Sequence, residues 1–529
     1  MSWSSRHRRA DNSPRVRFLA WAEFHASPGV SHKQEEDQML TSRKTRSGQK
    51  ARRAVLLLLP AALAGALVSA SPLTANAAAV VAVPAATLTK VNVPGTSPMS
   101  ATAVDLKAAG YTAKEFYAEG LAHRYTGANA NTFTTATVLD GGNPYRTRVM
   151  VRYPKPHKFN GTLAVEWTNV TTGVDFEFAT AEASEYLLRE GYAVAIVSAQ
   201  RVGVERLKTW SPQRYPGLSV DVNKCLPDGT SLCTGDPISY DIFAQITRAL
   251  MNNAGGATAP MPGLHVQDAI AIGQSQSAAR LAIYYNTIQP LHNVFDGFAF
   301  WDRSGQLRDD LTVPAISVDS EGLGGSFGGA GWTTSTYTRK WDVAGATHAS
   351  LYGAQYIEAI AQRDQSILLP DGQPKTFFEW IDFNHVCVKL PPFTTVDVGL
   401  VYNKAIDSVR NWFKRGTPAA PSRSFVISPS PPGLPVRDAD GKVEGGIRLP
   451  QFVVPTAEQG ALNGTAFPCN VSGWHRYYTK DELKAMYGTH GRYVAKVQRV
   501  MYPLVAEGYV LRTDALAAVR DAALSDVAK

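Results

Sequence analysis

The strongest constraint on the fold is a strand, a sharp turn and a helix that follow one another within residues 268–286. Residues 268–272 (DAIAI) are apolar enough for a buried strand, and residues 278–286 (AARLAIYYN) have helical spacing. The segment between them reads GQSQS, with Ser275 at its centre and the small residues Gly273 and Ser277 on either side. A strand that runs directly into a helix predicts a βα unit, and therefore a sheet with parallel strands.

The same alternation of strand and helix continues through most of the chain. Apolar runs predict strands at 162–167, 192–198, 294–300 and 313–318, and helical spacing is found at 179–190, 238–252 and 396–414. Alternating elements of this kind predict an α/β fold, with a mostly parallel central sheet and helices on both of its faces. In such sheets the functional site lies at the carboxyl ends of the strands. The segment 140–144 (DGGNP) separately predicts a hairpin turn.

The first 77 residues have the pattern of a leader that is removed from the mature protein. A basic stretch from Arg43 to Arg53 precedes an apolar run at 54–70, and ANA at 75–77 is a small-x-small cleavage signature ending at Ala77. This predicts a secretion signal, with a membrane anchor as the alternative. A start of translation at Met39 would place the basic stretch close to the N-terminus, where secretion signals normally carry it. Arg52-Arg53 leaves both general secretion and twin-arginine export open.

The basic character of the chain comes from this leader. The net charge is +8, and residues 1–77 alone hold 12 Lys and Arg against 5 Asp and Glu. The remaining 78–529 is therefore close to neutral. This balance argues against a nucleic acid or an acidic membrane surface as the partner.

The cysteine count suggests disulfides. All four cysteines lie beyond the leader, and an even number in an exported protein favours two disulfides. Three pairings are possible. The preferred one joins Cys225 to Cys233 across a turn-rich loop and Cys387 to Cys469, which would link the C-terminal segment to the catalytic body. No spacing resembles a zinc site. The four residues are Cys225, Cys233, Cys387 and Cys469.

The composition changes near residue 421. Residues 421–470 are rich in Pro and Gly, and a helical pattern returns from Tyr478 to the C-terminus. We therefore expect a catalytic domain at 78–420 and a C-terminal extension at 421–529 that packs on it. The sequence leaves open whether 421–470 forms a lid.

A serine on a strand–turn–helix unit is the arrangement of a nucleophile elbow. The turn lifts the hydroxyl of Ser275 off the end of the sheet, and the N–H groups that begin the next helix face the negative charge that develops there. Such a serine needs a histidine base, which in turn needs an acid. The elbow therefore predicts a serine hydrolase without a metal or cofactor.

The acid and the base are sought after Ser275, in the order Ser, acid, His. Glu321 and Asp319 follow the predicted strand at 313–318, and Glu321 is preferred because it lies in the loop beyond the strand. His348 follows a further strand-like segment and is the preferred base. His385 is its rival.

Several motifs, in order along the chain, resemble a bacterial family of α/β-hydrolase-domain esterases whose elbow reads GQSQS. The resemblance extends over about residues 95–520. It includes GTLAVEWTNV at 161–170, SYDIF at 239–243, AGATHA at 344–349 and GGIRLP at 445–450, followed by Cys469. It implies an α/β-hydrolase fold and activity on carboxylic esters. The family's acid loop reads roughly SETD; here it is SEGL at 320–323, so the later aspartate is absent, which supports Glu321.

The resemblance and the elbow together suggest where a tetrahedral oxyanion would be held. One donor is expected to be the backbone N–H of Gln276, directly after the nucleophile. The second is expected from the loop after the strand at 162–167, near Thr168 or Asn169.

Two other functions remain open at this stage. One is an acyl-esterase or depolymerase that acts on a polysaccharide or a polyester, for which an exposed aromatic platform is needed. Trp301, Trp332 and Trp341 are candidates, although packing is the expected role of each. The other is an exported, non-catalytic binding protein on a hydrolase scaffold. The expected ligand is thus a small or polymeric ester, and no membrane anchor is expected after the signal is cleaved.

Overall fold

The structure of this protein is a computed structural model. It describes residues 81–130, 132–222, 236–253, 255–256, 258–303, 305–323, 335–369, 371–383, 385–430 and 432–529. The predicted leader and the predicted Cys225–Cys233 pair lie outside these ranges, as does Trp332. Within the described residues, no helix is both long and apolar enough to cross a membrane.

The central feature is a nine-stranded sheet with the spatial order β1-β2-β3-β5-β4-β6-β7-β8-β9. The first three strands and the β3–β5 pair are antiparallel, whereas all pairs from β5 through β9 are parallel. The strands are β1 (Thr87–Lys90), β2 (Tyr111–Thr126), β3 (Thr137–Pro154), β4 (Thr162–Trp167), β5 (Ala193–Val197), β6 (Asp268–Gln274), β7 (Gly297–Trp301), β8 (Ala315–Ser320) and β9 (Thr338–Val343).

Helices connect and cover these strands. The described helices are α1 (Phe178–Arg189), α2 (Arg201–Trp210), α3 (Ser239–Met251), α4 (Gln276–Ile283), α5 (Gln289–His292), α6 (Leu351–Asp364), α7 (Phe377–Ile381), α8 (Gly399–Arg415), α9 (Pro450–Val453), α10 (Cys469–Ser472), α11 (Lys480–Tyr487), α12 (His490–Ala506) and α13 (Arg512–Leu524). Short 3₁₀ and π turns lie at Pro156–Lys158 and Tyr284–Ile288. Three further two-stranded ribbons are formed by β10 (Ile367–Leu368) with β11 (Pro374–Lys375), β12 (Ile427–Pro429) with β13 (Pro432–Pro435), and β14 (Ala457–Gly460) with β15 (Trp474–Tyr477).

The two faces of the sheet carry separate apolar cores. Alternate residues of a strand point to opposite faces, so Ala271 packs with α3 and α4 whereas Ile270 and Ile272 pack with α1 and α8. This explains why the parallel strands are apolar along their whole length rather than at every second position. The predicted α/β fold with a mostly parallel sheet is confirmed, and the predicted element ends differ from the observed ones by a few residues.

The C-terminal segment shares the core on the α1 and α8 face. Leu483, Val497 and Met501 are buried there beside residues of β6 and β8. The segment also covers the edge strand β9: the Ile447 N–H donates to the Asp342 carbonyl at 2.7 Å and the Arg423 N–H to the Lys340 carbonyl at 2.9 Å. Covering an edge strand in this way removes a row of unpaired backbone groups. The boundary near residue 421 stays a prediction.

The predicted hairpin turn at 140–144 is wrong. This segment lies inside β3, and the irregularity falls in the pairing of β3 with β2, where the register shifts between Ala122 and Tyr125. Tertiary contacts straighten the segment: the Asn143 side-chain amide donates to the Ala122 carbonyl at 3.1 Å, and Asp140 forms an ion pair with Arg124.

Candidate active site

Ser275 occupies the turn between β6 and α4. Its backbone has φ 58° and ψ −120°, a region that a residue with a side chain rarely adopts. The Ser275 N–H donates to the Trp301 carbonyl at 3.0 Å, which ties the turn to the end of the neighbouring strand β7. The side chain therefore projects from the carboxyl end of the sheet, as the sequence predicted.

Ser277 fixes the shape of this turn. Its Oγ–H donates to the Gln274 carbonyl at 2.9 Å, and its Oγ accepts from the Gln274 N–H at 3.1 Å. Strand and helix are so close that a Cβ on Gly273 would lie 2.9 Å from Leu281 Cδ1 and 3.2 Å from Ser277 Oγ. A second serine after the nucleophile is thus small enough to fit, and it also adds two hydrogen bonds that a glycine lacks.

His348 lies against the serine. Its Nε2 is 2.6 Å from Ser275 Oγ, so with the proton on Nδ1 the ring accepts from the serine hydroxyl. Two hydrogen bonds to the backbone of His348 hold its loop. The side-chain Nε2 of Gln274 donates to the His348 carbonyl at 2.7 Å, and the His348 N–H donates to the Val471 carbonyl at 3.0 Å. The structure therefore brings together the predicted nucleophile and the preferred base.

Asp302, not Glu321, is the carboxylate beside His348. Its Oδ2 accepts from His348 Nδ1 at 2.7 Å, and its side chain is fully buried. Ser320 donates to the same carboxylate through its hydroxyl, at 2.6 Å, and through its backbone N–H. A buried carboxylate with these donors fixes the histidine ring in one orientation and one tautomer.

Glu321 and Asp319 are engaged elsewhere, so both expectations for the acid need correction. Glu321 accepts from the Gly345 N–H at 2.8 Å and pairs with Arg437 at 2.7 Å. Asp319 accepts from Ser317 Oγ at 2.6 Å, and burial raises the pKa of its carboxyl. Both residues follow or end β8, whereas the carboxylate that reaches His348 directly follows β7.

The rival base and the aromatic candidates lie apart from this contact. His385 faces Asp382, with 3.7 Å between His385 Nδ1 and Asp382 Oδ2, and its side chain is 59% exposed. Trp301 and Trp341 are fully buried, so neither forms an exposed platform. Packing is their role, as the sequence suggested.

The predicted oxyanion donors have different outcomes. Gln276 begins α4, so its backbone N–H belongs to the first helical turn, which has no acceptor within the helix. Asn169 is not placed to serve: its backbone N–H donates to the Phe176 carbonyl at 2.9 Å, and its side-chain amide donates to Gln274 at 3.0 and 3.1 Å. Asn169 instead fastens the loop after β4 to the elbow.

Two buried glutamates accept hydrogen bonds near the site, one from the loop after His348 and one from the start of α1. Glu182 of α1 accepts from the Ser350 N–H at 2.8 Å and from its hydroxyl at 2.7 Å, two residues beyond His348. Glu166 of β4 similarly accepts from the Ala179 and Thr180 N–H groups at the start of α1, at 2.9 and 2.7 Å. Burial raises the pKa of Glu182 to about 7 and that of Glu166 to about 8.

These two glutamates should make the fold less stable as the pH rises from mildly acidic to mildly alkaline. Their pKa values in the folded chain exceed the ordinary 4.5, so the folded chain holds protons that the unfolded chain has released. This contribution is full below the ordinary value and is lost as the pH rises through about 7 to 8. Thermal unfolding between about pH 5 and 9 measures this loss of stability.

Glu166→Gln and Glu182→Gln should each make the fall of stability with pH less steep. Glu185→Gln, which replaces an exposed carboxylate of α1, should leave it unchanged. Slopes equal to that of the unmodified protein in both variants would contradict the assignment.

The serine and histidine open into a cleft of about 420 Å³. Its polar wall, next to Ser275, is formed by Asn169, Thr171, Thr172, Gln274 and Ser472. Its other walls are apolar and aromatic, and they come from α1, α7, the loop at 393 and the start of α10. These residues are Phe178, Ala349, Phe377, Trp380, Ile381, Phe393, Phe467, Pro468 and Val471.

A disulfide links the segment after α7 to α10, and both helices contribute to the cleft. Cys387 and Cys469 are joined, at a sequence separation of 82 and with 5.1 Å between their Cα atoms. The preferred pairing of these two cysteines therefore agrees with the structure. Asp382 brings a carboxylate close to both sulfurs, but cysteines held in a disulfide have no thiolate to offer a metal.

Comparison with solved structures finds limited likeness to three kinds of esterase or hydrolase. A candidate acetyl xylan esterase from Bacteroides fragilis has 10% identity and a TM-score of 0.22, covering 41% of this chain and 47% of that one. Fungal esterases from Rhizomucor miehei have 8% identity and a TM-score of 0.19, with 35% and 44% covered. A siderophore hydrolase from Aspergillus nidulans has 14% identity and a TM-score of 0.24, with 47% and 94% covered. The chain spans less than half the length of the first two.

The sequence itself matches a family model. No curated protein matches this chain. The model described as an alpha/beta hydrolase domain matches residues 72–520, which include the whole sheet, Ser275, Asp302, His348 and most of the C-terminal segment. The chain therefore belongs to the alpha/beta hydrolase domain family.

Proposed function

We propose that this protein is a serine esterase in which Ser275 is the nucleophile, His348 the base and Asp302 the acid. The observation that carries the proposal is the continuous pair of short contacts from Ser275 Oγ to His348 Nε2, at 2.6 Å, and from His348 Nδ1 to Asp302 Oδ2, at 2.7 Å. A nucleophile, a base and an orienting carboxylate within hydrogen-bond reach are what acyl transfer by serine requires.

The reaction would proceed in two stages. Ser275 Oγ attacks the ester carbonyl carbon while His348 Nε2 takes its proton, and the carbonyl oxygen becomes an oxyanion facing the Gln276 N–H. The C–O bond to the alcohol then breaks, and His348 returns the proton to the departing alkoxide. Water, deprotonated by His348, attacks the acyl-enzyme in the same way and releases the acid and free Ser275.

Asp302 would act through the histidine. Its ionised carboxylate keeps the proton of neutral His348 on Nδ1, which leaves Nε2 free to accept from the serine. It also stabilises the imidazolium that forms at each transfer. The resemblance of the elbow to the GQSQS esterases favours esters over amides as substrates.

A fluorophosphonate probe tests the nucleophile directly. It should form an adduct that peptide mass spectrometry locates on Ser275, and Ser275→Ala should abolish this adduct. His348→Ala should slow labelling strongly because the serine then lacks its base. Ser430→Ala, at an exposed serine between β12 and β13, is the control and should still be labelled on Ser275. No adduct on folded protein would instead favour the non-catalytic binding function.

We also propose that the protein is exported. The leader at 1–77 has the pattern of a secretion signal, and the Cys387–Cys469 disulfide fits an oxidising compartment. N-terminal sequencing of the protein recovered outside the producing cells should find Ala78 as the first residue. Recovery of the intact N-terminus inside the cells would contradict this proposal.

A further inference from the structure

The cleft beside Ser275 has one polar side and an extended aromatic side. Among the described residues that line it, His348 is the one ionisable side chain, and Asp, Glu, Lys and Arg are absent. The amide and hydroxyl groups of the lining lie around the serine, where the ester group must sit. A substrate that fills the remaining space therefore meets apolar surface without a partner for a charge.

The aromatic wall is built as a connected set of rings. Phe377 stacks on Trp380 and on Phe393, with ring centroids 6.1 and 6.0 Å apart, and it contacts Phe178 at 5.4 Å. Phe467 meets Trp380 edge-on at 6.0 Å. Rings that pack on one another in this way hold a fixed surface, and that surface offers both faces and edges to another ring.

The disulfide joins the two parts of this wall. Cys387 lies six residues after Ile381, the end of α7, and Cys469 begins α10 directly after Phe467 and Pro468. The wall is thus shaped before a ligand arrives, which reduces the cost of ordering side chains on binding.

The cleft is open to solvent on one side, and its volume of about 420 Å³ includes that open space. An apolar group of a substrate held at Ser275 would therefore pack along the aromatic wall rather than lie in a closed cavity. An acetyl ester of a small alcohol would leave most of this wall without contacts.

We propose that the preferred substrates are uncharged esters that carry an apolar group, such as an aromatic ring, which packs on this aromatic wall. The proposal rests on the proposed serine esterase function. The apolar group belongs to either the acyl or the alcohol part of the ester, and both sources present the same chemistry to the wall.

Two isomeric esters separate these sources. Methyl phenylacetate carries the ring on the acyl part, and benzyl acetate carries it on the alcohol part; methyl acetate lacks the ring. At least one of the two isomers should exceed methyl acetate in kcat/KM by about 100-fold, since burial of a ring in an apolar pocket gives discrimination of this order. Adding a carboxylate to the ring of the better isomer should remove that gain. Equal kcat/KM for all three neutral esters would overturn the proposal.

Variants of the wall test whether these residues cause the preference. Phe467→Ala and Trp380→Ala should lower kcat/KM for the better isomer by about tenfold and for methyl acetate by less, so that the preference for the ring falls. Phe467 is 52% exposed, so its truncation leaves no core cavity. Tyr502→Ala, at a 48% exposed aromatic on α12, is the control and should change neither substrate. An unchanged preference in both wall variants would overturn the proposal.

Labelling of Ser275 keeps the two proposals distinguishable. If a small fluorophosphonate labels Ser275 at equal rates in the unmodified protein and in Phe467→Ala, the catalytic site is intact. Any failure of selectivity then counts against the aromatic wall alone. If Ser275 is not labelled in the unmodified protein, the proposed esterase function itself fails.

Discussion

Replacing Asp302 by asparagine should lower kcat/KM for an uncharged ester by about 10³- to 10⁴-fold. The side-chain amide introduced by Asp302→Asn would donate to His348 Nδ1, so the ring proton would move to Nε2. That nitrogen now faces Ser275 Oγ at 2.6 Å and must be free to accept the serine proton. The substitution keeps the side-chain volume, and the loss should therefore appear in turnover rather than in folding.

Glu321→Gln is the matched control for this experiment. Glu321 precedes the same histidine loop, but its carboxylate contacts Gly345 and Arg437 rather than His348. We expect its replacement to change kcat/KM by less than about tenfold, since the geometry of the reacting groups is retained. Thermal unfolding of both variants checks that each is folded at the assay temperature. A large loss for Glu321→Gln together with near-normal turnover for Asp302→Asn would show that Glu321 is the acid.

Removing the Cys387–Cys469 disulfide should destabilise the protein by roughly 4 kcal/mol. The bridge closes a loop of 82 residues, and a cross-link of this length restricts the unfolded chain strongly. The Cys387→Ser/Cys469→Ser variant should therefore unfold at lower denaturant concentration. It should also lose activity under conditions where it is still folded, because Val471, two residues beyond Cys469, accepts the His348 N–H at 3.0 Å.

Two comparisons control for other effects of the cysteine changes. A reducing agent should weaken the unmodified protein and have much less effect on this variant. Cys225→Ser/Cys233→Ser removes a predicted bridge across only a short loop, and it should cost roughly 2 kcal/mol less. Denaturant unfolding and ester turnover measured on the same samples give both quantities. Equal stability of the unmodified protein and the Cys387→Ser/Cys469→Ser variant would contradict this role of the disulfide.

The position of the acid shows where reasoning along the chain fails. The rule that an acid follows a late strand led to the end of β8, where Asp319 and Glu321 lie. In the structure the carboxylate that contacts His348 is Asp302, directly after β7. A sequence signal was present: Asp302 directly follows an apolar strand and lies between Ser275 and His348 in chain order. Asp302 was not among the acids considered from the sequence, where only Glu321 and Asp319 were named.

Asp302, Asp319 and Glu321 are hard to tell apart from the sequence because neighbouring parallel strands end at the same edge of the sheet. Trp301 of β7 pairs with Val318 of β8, and the Asp302 N–H donates to the Val318 carbonyl at 2.8 Å. A carboxylate after either strand therefore begins within a few ångströms of the other. The choice depends on the turn at Asp302, with φ 51°, and on Ser320, which donates to the Asp302 carboxylate.

The sequence by itself determined the features that arise from local pattern: the α/β alternation, the buried parallel strands, the sharp turn at Ser275 and the histidine that follows a late strand. These depend on periodicity, residue size and chain order, which neighbouring residues specify. Only the tertiary structure decided which carboxylate contacts His348, the bonding of Asn169, the continuous strand at 140–144 and the aromatic cleft. The strand at 140–144 depends on its pairing with the preceding strand β2. The other three depend on contacts between segments that are distant in the chain, such as α7 with α10, and no local pattern records which distant partner a side chain will meet.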